Sequence, residues 1–269
     1  MLLMLGASAL PMRSWATERP ASPLVFAGCG ATVPITRLLV EAFNQARSEV
    51  QQIDVRGVGS TNGIWLAAGG AIPLGLTSRP LRETEKDLGV TVAPFARTAV
   101  VIGVHPSVTD EGITMGDLAA IHRGALMRWR QGQEIMLLTR DQGDSDIYVL
   151  GRTIPSFKDS YAVSVRTGRA SVVYSESEMV RRLVRTQFAV GLSDLGAMTI
   201  ERLSFRAMKV NGVAPTLENV VNGTYPLAKT LAFVFREDKV PAEAKAFLTF
   251  VRSPEGERIL RAHNYLPAE

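Results

Sequence analysis

The chain has 269 residues, enough for one large domain or two lobes of ordinary size. Hydrophobic residues make up 46% and charged residues 21%, a composition that packs a core and excludes an intrinsically disordered chain. The net charge of +4 suits the collection of anions, but no dense basic run accompanies it, which argues against a nucleic-acid partner.

Residues 2–10 form an apolar run too short to span a bilayer, and Ser14-Trp15-Ala16 follows with the small-x-small pattern of a cleavage point. The expectation is a signal peptide over residues 1–16 and a periplasmic mature chain. No Lys or Arg precedes the apolar run, as a basic n-region requires; a start codon placed too late accounts for that. No later run is long and charge-free enough for a membrane helix. Cys29 is the only cysteine, so an intramolecular disulfide is excluded, and it reads as a small buried residue.

The elements then alternate. Residues 24–26 read as a strand and residues 34–47 as a helix with Pro34 in its first turn. Residues 50–56 alternate as a strand, 61–68 form a short helix, 74–77 a strand, and 81–87 have helical composition. Residues 98–104 are rich in β-branched side chains and predict a buried strand. Thr114 caps a helix, residues 134–139 are a strand, and a helix starts at Asp144. Residues 175–185 carry Met179, Val180, Leu183 and Val184 at helical spacing, a stripe most simply read as core. Strands follow at 188–192 and 231–236, then helices at 241–251 and 255–263, parted by Ser253-Pro254. Such alternation predicts an α/β fold with a largely parallel sheet.

Two turns rich in glycine and hydroxyl groups stand at strand-to-helix junctions: Gly28-Cys29-Gly30-Ala31-Thr32-Val33-Pro34 and Gly57-Val58-Gly59-Ser60-Thr61-Asn62-Gly63. A helix N-terminus carries unpaired N–H groups and partial positive charge. Glycine lets an anion approach the backbone, and Ser or Thr adds a donor. Two such turns predict a site for a small anion. Thr32 with the N–H of Val33, and Ser60 with Thr61, are the candidate donors, with Asn62 as a further one.

These turns belong to a larger ordered set. Ala27-Gly-Cys-Gly-Ala-Thr-Val-Pro34 and Gly57-Val-Gly-Ser-Thr-Asn-Gly-Ile64 are followed by Gly75-Leu-Thr-Ser-Arg-Pro-Leu81. Then come Leu118-Ala-Ala-Ile-His-Arg-Gly124 with Trp129, and Val210-Asn-Gly-Val-Ala-Pro-Thr-Leu-Glu-Asn219 with Tyr225-Pro-Leu227. In this order the chain resembles the phosphate-binding proteins of bacterial ABC importers, a branch of the type 2 periplasmic binding proteins. The resemblance implies two α/β lobes joined by two crossover strands, near residues 96–104 and 225–235. One lobe is expected over residues 22–98 plus 227–269, the other over 99–226, closing on the ligand by a hinge.

The resemblance also implies that Arg140 is the ligand-binding arginine, and a guanidinium fork suits two oxygens of an oxyanion. Two departures from the family stand out. Ser78 occupies the third-loop position where the family often has an Asp that accepts a proton from hydrogen phosphate, so strict exclusion of sulfate is not expected. The fourth loop reads Gly143-Asp144-Ser145-Asp146 in place of Gly-Ser-Gly-Thr, and carboxylates repel an anion. Three arrangements stay open. Asp144 caps the helix and points away while Ser145 binds; one Asp accepts the ligand's proton; or the pocket takes another ligand.

The expected function is extracytoplasmic capture of phosphate or a related oxyanion for an ABC importer. Sulfate, molybdate or a phosphonate are the alternative ligands, and a membrane signalling partner is the alternative outlet. The chain is expected to act as a monomer with no cofactor. His105, His122 and His263 are scattered, without metal spacing or a nucleophile beside them, so an enzyme is not expected.

Overall fold

The computed structural model describes residues 23–48 and 50–268. The signal peptide expected over 1–16 lies outside them. The chain opens with β1 (Leu24–Gly28), a 3-10 turn (Gly30–Thr32), α1 (Val33–Gln45), β2 (Ile53–Gly57), α2 (Ser60–Gly69) and β3 (Leu74–Thr77). Pro34 sits in the first turn of α1, where its missing N–H costs nothing. β1 pairs in parallel with β2 on one side and β3 on the other. The helix α2 lies against this sheet through Gly63, where a Cβ would stand 2.5 Å from the Ala27 carbonyl oxygen. Only glycine permits that approach.

After α3 (Glu83–Lys86) comes β4 (Thr91–Val104), which begins well before the expected strand at 98. Pro94 hides the early half, because proline donates no ladder hydrogen bond and reads as a strand breaker. The fold accommodates it at an irregularity: Leu231 pairs with Ala96 and Ala232 with Pro94, leaving Phe95 as the extra residue.

β5 (Gly112–Ile113) and α4 (Met115–Arg123) follow, the latter closed by reciprocal bonds between Thr114 and Asp117. Next come β6 (Met136–Arg140), α5 (Ser145–Thr153), α6 (Phe157–Arg166), β7 (Ser171–Val173), α7 (Glu176–Arg185), β8 (Ala189–Asp194) and α8 (Leu195–Glu201). The remainder is β9 (Arg206–Ala207), β10 (Lys209–Val210), α9 (Leu217–Val221), β11 (Ala228–Phe235), α10 (Ala242–Val251), α11 (Pro254–Ala262) and β12 (Leu266–Pro267).

The main sheet runs β2-β1-β3-β11-β4-β8-β6-β7. Its parallel stretches sit at the two ends, and the antiparallel pairs of β4 and β11 form the middle. β4 is long enough to serve both halves. Residues 91–99 pair with β11, and residues 100–104 pair with β8. The packing divides at the same place. Phe26, Leu39, Leu76, Ala96, Phe233 and Phe247 belong to one apolar cluster. Ala99, Ile102, Ile121, Leu150, Phe157 and Leu227 belong to another. Among the described residues no helix is long and apolar enough to cross a membrane.

Candidate functional site

The C-terminal ends of β1, β2, β3 and β6 converge, which is where open α/β sheets present ligands. A cleft of about 640 Å³ opens there, walled by the heads of α1 and α2 on one side and of α5 and α7 on the other. Much of its polar lining comes from the loops that leave these strands, and Ser175, Glu176 and Ser177 at the head of α7 add to it.

On the first wall, Ser60 is buried at the first position of α2 and lines the cleft. The residue before it, Gly59, has φ +83°, a conformation that frees the helix head of a side chain. Thr61 also lines the cleft, and its Oγ1 accepts a bond from Arg79 Nη2 at 2.9 Å. Asn62 turns to its own backbone, donating to the Val58 carbonyl at 2.8 Å. Thr32 is fully buried and its hydroxyl donates to the Cys29 carbonyl at 2.6 Å, closing the 3-10 turn. Val33 reaches the cleft with its side chain, but its N–H closes on the Gly30 carbonyl. The extra 3-10 turn ahead of α1 therefore uses both donors expected of this loop.

Ser78 is buried at the end of β3. Its hydroxyl donates to Ser145 Oγ at 2.7 Å and touches Cys29 Sγ at 2.9 Å. This bond joins the β3 loop to the head of α5. Burial pushes the Cys29 thiol up, so it stays protonated beside the two hydroxyls. The neighbouring Arg79 is committed elsewhere. It holds Glu85 by two bonds of 2.7 Å with both side chains out of water.

The opposite wall carries Arg140, Asp144 and Ser145. Arg140 ends β6, 5% exposed. Its Nε and Nη2 lie 3.0 and 2.9 Å from Asp144 Oδ2, while its Nη1 is buried with no hydrogen-bond partner among the described residues. Asp144 caps α5, its Oδ1 accepting the Asp146 N–H at 2.8 Å. Both Asp144 oxygens are thus occupied. Ser145 is buried at the first turn of α5, its oxygen accepting from the Ser78 hydroxyl.

Asp146 points away from the cleft, toward Lys229 Nζ at 2.7 Å. Asp194 Oδ2 stands 3.6 Å from the same nitrogen. Burial pushes the Asp146 carboxyl up to about 6, against the pull of Lys229. Burial also works against the Lys229 charge, but Asp146 and then Asp194 hold the ammonium in place. Asp144 therefore has both oxygens engaged, and Asp146 is turned to Lys229 and does not line the cleft.

Two charged groups here were not singled out from the sequence. Lys229 falls in step with Leu231 and Phe233 on β11, an inward parity that marks a charge in an apolar strand. Glu176 lines the cleft from the first turn of α7. It lies three and four residues before Met179 and Val180, so a carboxyl extends the apolar stripe of that helix. Among the described residues no cluster of His, Cys, Asp and Glu suited to a metal ion is found.

Comparison with known proteins follows the same lines. The model of the PBP superfamily domain matches residues 15–255. The phosphate-binding protein PstS of Bacillus subtilis is 22% identical over 259 residues, spanning 93% of this chain and 82% of the relative. A putative phosphate ABC transporter substrate-binding protein of Clostridium perfringens, solved with bound phosphate, superposes with a TM-score of 0.83 at 21% identity, over 92% of this chain and 100% of that one. An ABC-type phosphate transport receptor of Vibrio cholerae superposes with a TM-score of 0.67 at 25% identity, with the same coverage.

Proposed function

The chain belongs to the PBP superfamily, and from that membership we propose that it captures phosphate or a related oxyanion outside the cytoplasm for the permease of an ABC importer. The observation that carries the reading is Arg140 Nη1, a buried cationic donor with no partner, on a side chain that lines the cleft. An unpaired buried donor is costly, and an oxyanion is the group that satisfies it best. Ser60 and Thr61 at the head of α2 supply the facing donors, aided by the helix dipole. The relatives named for phosphate binding support phosphate as the first ligand to test.

In this reading residues 22–98 with 227–269 form one lobe, and residues 99–226 form the other. They move about the segments of β4 and β11 that run between the two apolar clusters. The chain works as a monomer and catalyses no reaction. A second reading follows from size. A cleft of about 640 Å³ is roomier than an inorganic oxyanion needs, which favours an organic phosphonate with its head group on the same donors.

Calorimetric titration of ligand-stripped protein with phosphate, sulfate and an alkylphosphonate tests both readings. Phosphate heat that Arg140→Ala abolishes supports the first, and a clear preference for the phosphonate supports the second. Absence of heat with all three anions overturns both.

A further inference from the structure

Glu176 is one of the carboxyls that line the cleft. Among the described residues it forms no ion pair, although Arg140 lines the same cleft. Its recorded hydrogen bond comes from Ser193, whose hydroxyl donates to Oε1 at 2.9 Å. Oε2 is left for another partner. Its side chain faces the first glycine turn closely, since a Cβ on Gly30 would sit 3.4 Å from Glu176 Cβ. The carboxyl therefore belongs to the cleft beside the first loop, and Arg140 is among the charges that act on it.

An ionised Glu176 at this point would repel the ligand. A neutral one would bind it, because a protonated carboxyl is a donor. We propose that Glu176 determines specificity in this cleft: its neutral carboxyl donates a hydrogen bond to a dianionic oxyanion held by Arg140, so sulfate and the phosphate dianion are both accepted. This rests on the oxyanion reading given above. It also accounts for the two departures from the family at Ser78 and Asp146. Neither of those positions has to accept a proton from sulfate, which carries none, because the bridging proton is on the protein.

The surroundings of Glu176 favour the neutral form. The charged groups that act on it from the packed elements are Arg140 of β6, Asp146 of α5, Asp194 of β8 and Lys229 of β11. Burial is the strongest influence and raises its pKa, Asp194 and Asp146 add to the rise, and Arg140 and Lys229 only partly offset them. The carboxyl is carried up to about 8. The Ser193 bond occupies Oε1 and leaves Oε2 as the oxygen that can carry the proton. Binding an anion stabilises that proton further, so the complex takes up protons at a pH where the free protein has lost some of them.

Sulfate is the probe of choice, because its charge is constant over the range in which phosphate itself titrates. Its affinity is measured by calorimetry from pH 6 to pH 9 for the wild type and for Glu176→Gln, which keeps a neutral donor at every pH. The wild-type Kd is expected to hold steady to about pH 7 and to rise roughly tenfold for each pH unit above about 8. Glu176→Gln is expected to bind sulfate with a flat profile. At pH 8, repeating the titration in buffers of different ionisation heat should show proton uptake in the wild type and none in the variant. Phosphate binding with no sulfate binding at any pH overturns the inference alone. So does a wild-type profile or proton uptake that persists in Glu176→Gln. Silence toward both anions in both proteins overturns the oxyanion reading itself.

Discussion

Lys229 Nζ lies 2.7 Å from Asp146 Oδ1, with neither side chain reaching water, and so ties β11 to the first turn of α5. Asp194 shares the ammonium at 3.6 Å and takes two further bonds, from the Ala197 N–H at 2.7 Å and the Tyr265 hydroxyl at 3.3 Å. Two carboxylates and one ammonium thus make a network directly beneath the cleft. It fixes the helix whose cap is Asp144, and Asp144 in turn holds Arg140.

Removing the ammonium leaves two buried carboxylates without their cation. Lys229→Met is expected to destabilise the fold by about 3 to 5 kcal/mol at pH 8, measured by urea unfolding. The loss should shrink as the pH falls. Without Lys229 the pKa of Asp146 rises beyond its present value of about 6. Below that point the folded variant keeps a proton that the unfolded chain releases, and the charge no longer has to be buried. A destabilisation equal at pH 5 and pH 8 would remove Asp146 from this account.

Asp144 has two tasks, capping α5 and neutralising Arg140, and they can be separated. Asparagine caps as well as aspartate, but it brings no negative charge to the cleft. Asp144→Asn is expected to keep the helix cap but to cost about 2 to 4 kcal/mol of stability, because the buried Arg140 loses its anion, and to tighten phosphate binding several-fold, since the guanidinium gives up an ionic partner to reach the ligand. Arg140→Lys is expected to weaken binding by about ten- to a hundredfold despite keeping the charge, because an ammonium cannot bond Asp144 and the anion with separate nitrogens of one plane. Calorimetry on the two variants side by side checks both directions.

The acid limb of stability should be set in part by Glu85. Burial raises its pKa, but bonds from Arg79 and from the Arg82 N–H outweigh that and hold it below its ordinary 4.5. A depressed carboxylate stabilises the fold above its unfolded pKa and ceases to do so as the pH falls through the folded one. Glu85→Gln is expected to cost about 3 to 5 kcal/mol at pH 7, because Arg79 stays buried without its anion. The gap between variant and wild type should close as the pH drops below the ordinary glutamate range. Phosphate affinity of the folded variant should change little, since Arg79 meets the site only through Thr61.

The alternating elements were legible because their signals are local. The β-branched run at 98–104, Pro34 in the first turn of α1 and Thr114 with Asp117 each announce an element without help from distant residues. α6 was silent because its buried face is Phe157, Ser160, Tyr161 and Ser164, helical in period but half serine, so no apolar stripe appears. Of the residues that line the cleft, Ser60 and Thr61 stand out in the sequence by their place at a helix head, and Arg140 by the family resemblance. The fate of Thr32 was not legible, because a 3-10 turn of three residues decides where its hydroxyl points. Lys229 and Glu176 gain their meaning only from neighbours far away in the chain, and no local pattern encodes a neighbour's charge.

The position of the α2 head can be tested through one glycine. Gly63 packs on β1, and an added Cβ would meet Ala27 O at 2.5 Å and Gly28 Cα at 2.7 Å, both of them backbone atoms that cannot step aside. In an open helix, Gly→Ala is worth up to about 1 kcal/mol of added stability. Gly69, in the last turn of the same helix, has nothing within 4 Å of an added Cβ, and Gly69→Ala is expected to show that gain. Gly63→Ala should instead destabilise by about 1 to 3 kcal/mol, because overpacking outweighs propensity. Since the strain acts one turn from Ser60 and Thr61, Gly63→Ala should also weaken phosphate binding, whereas Gly69→Ala should leave it intact. Equal stability in the two variants would mean that α2 is free to lift from β1, and the donors at its head would then not be held in place by this contact.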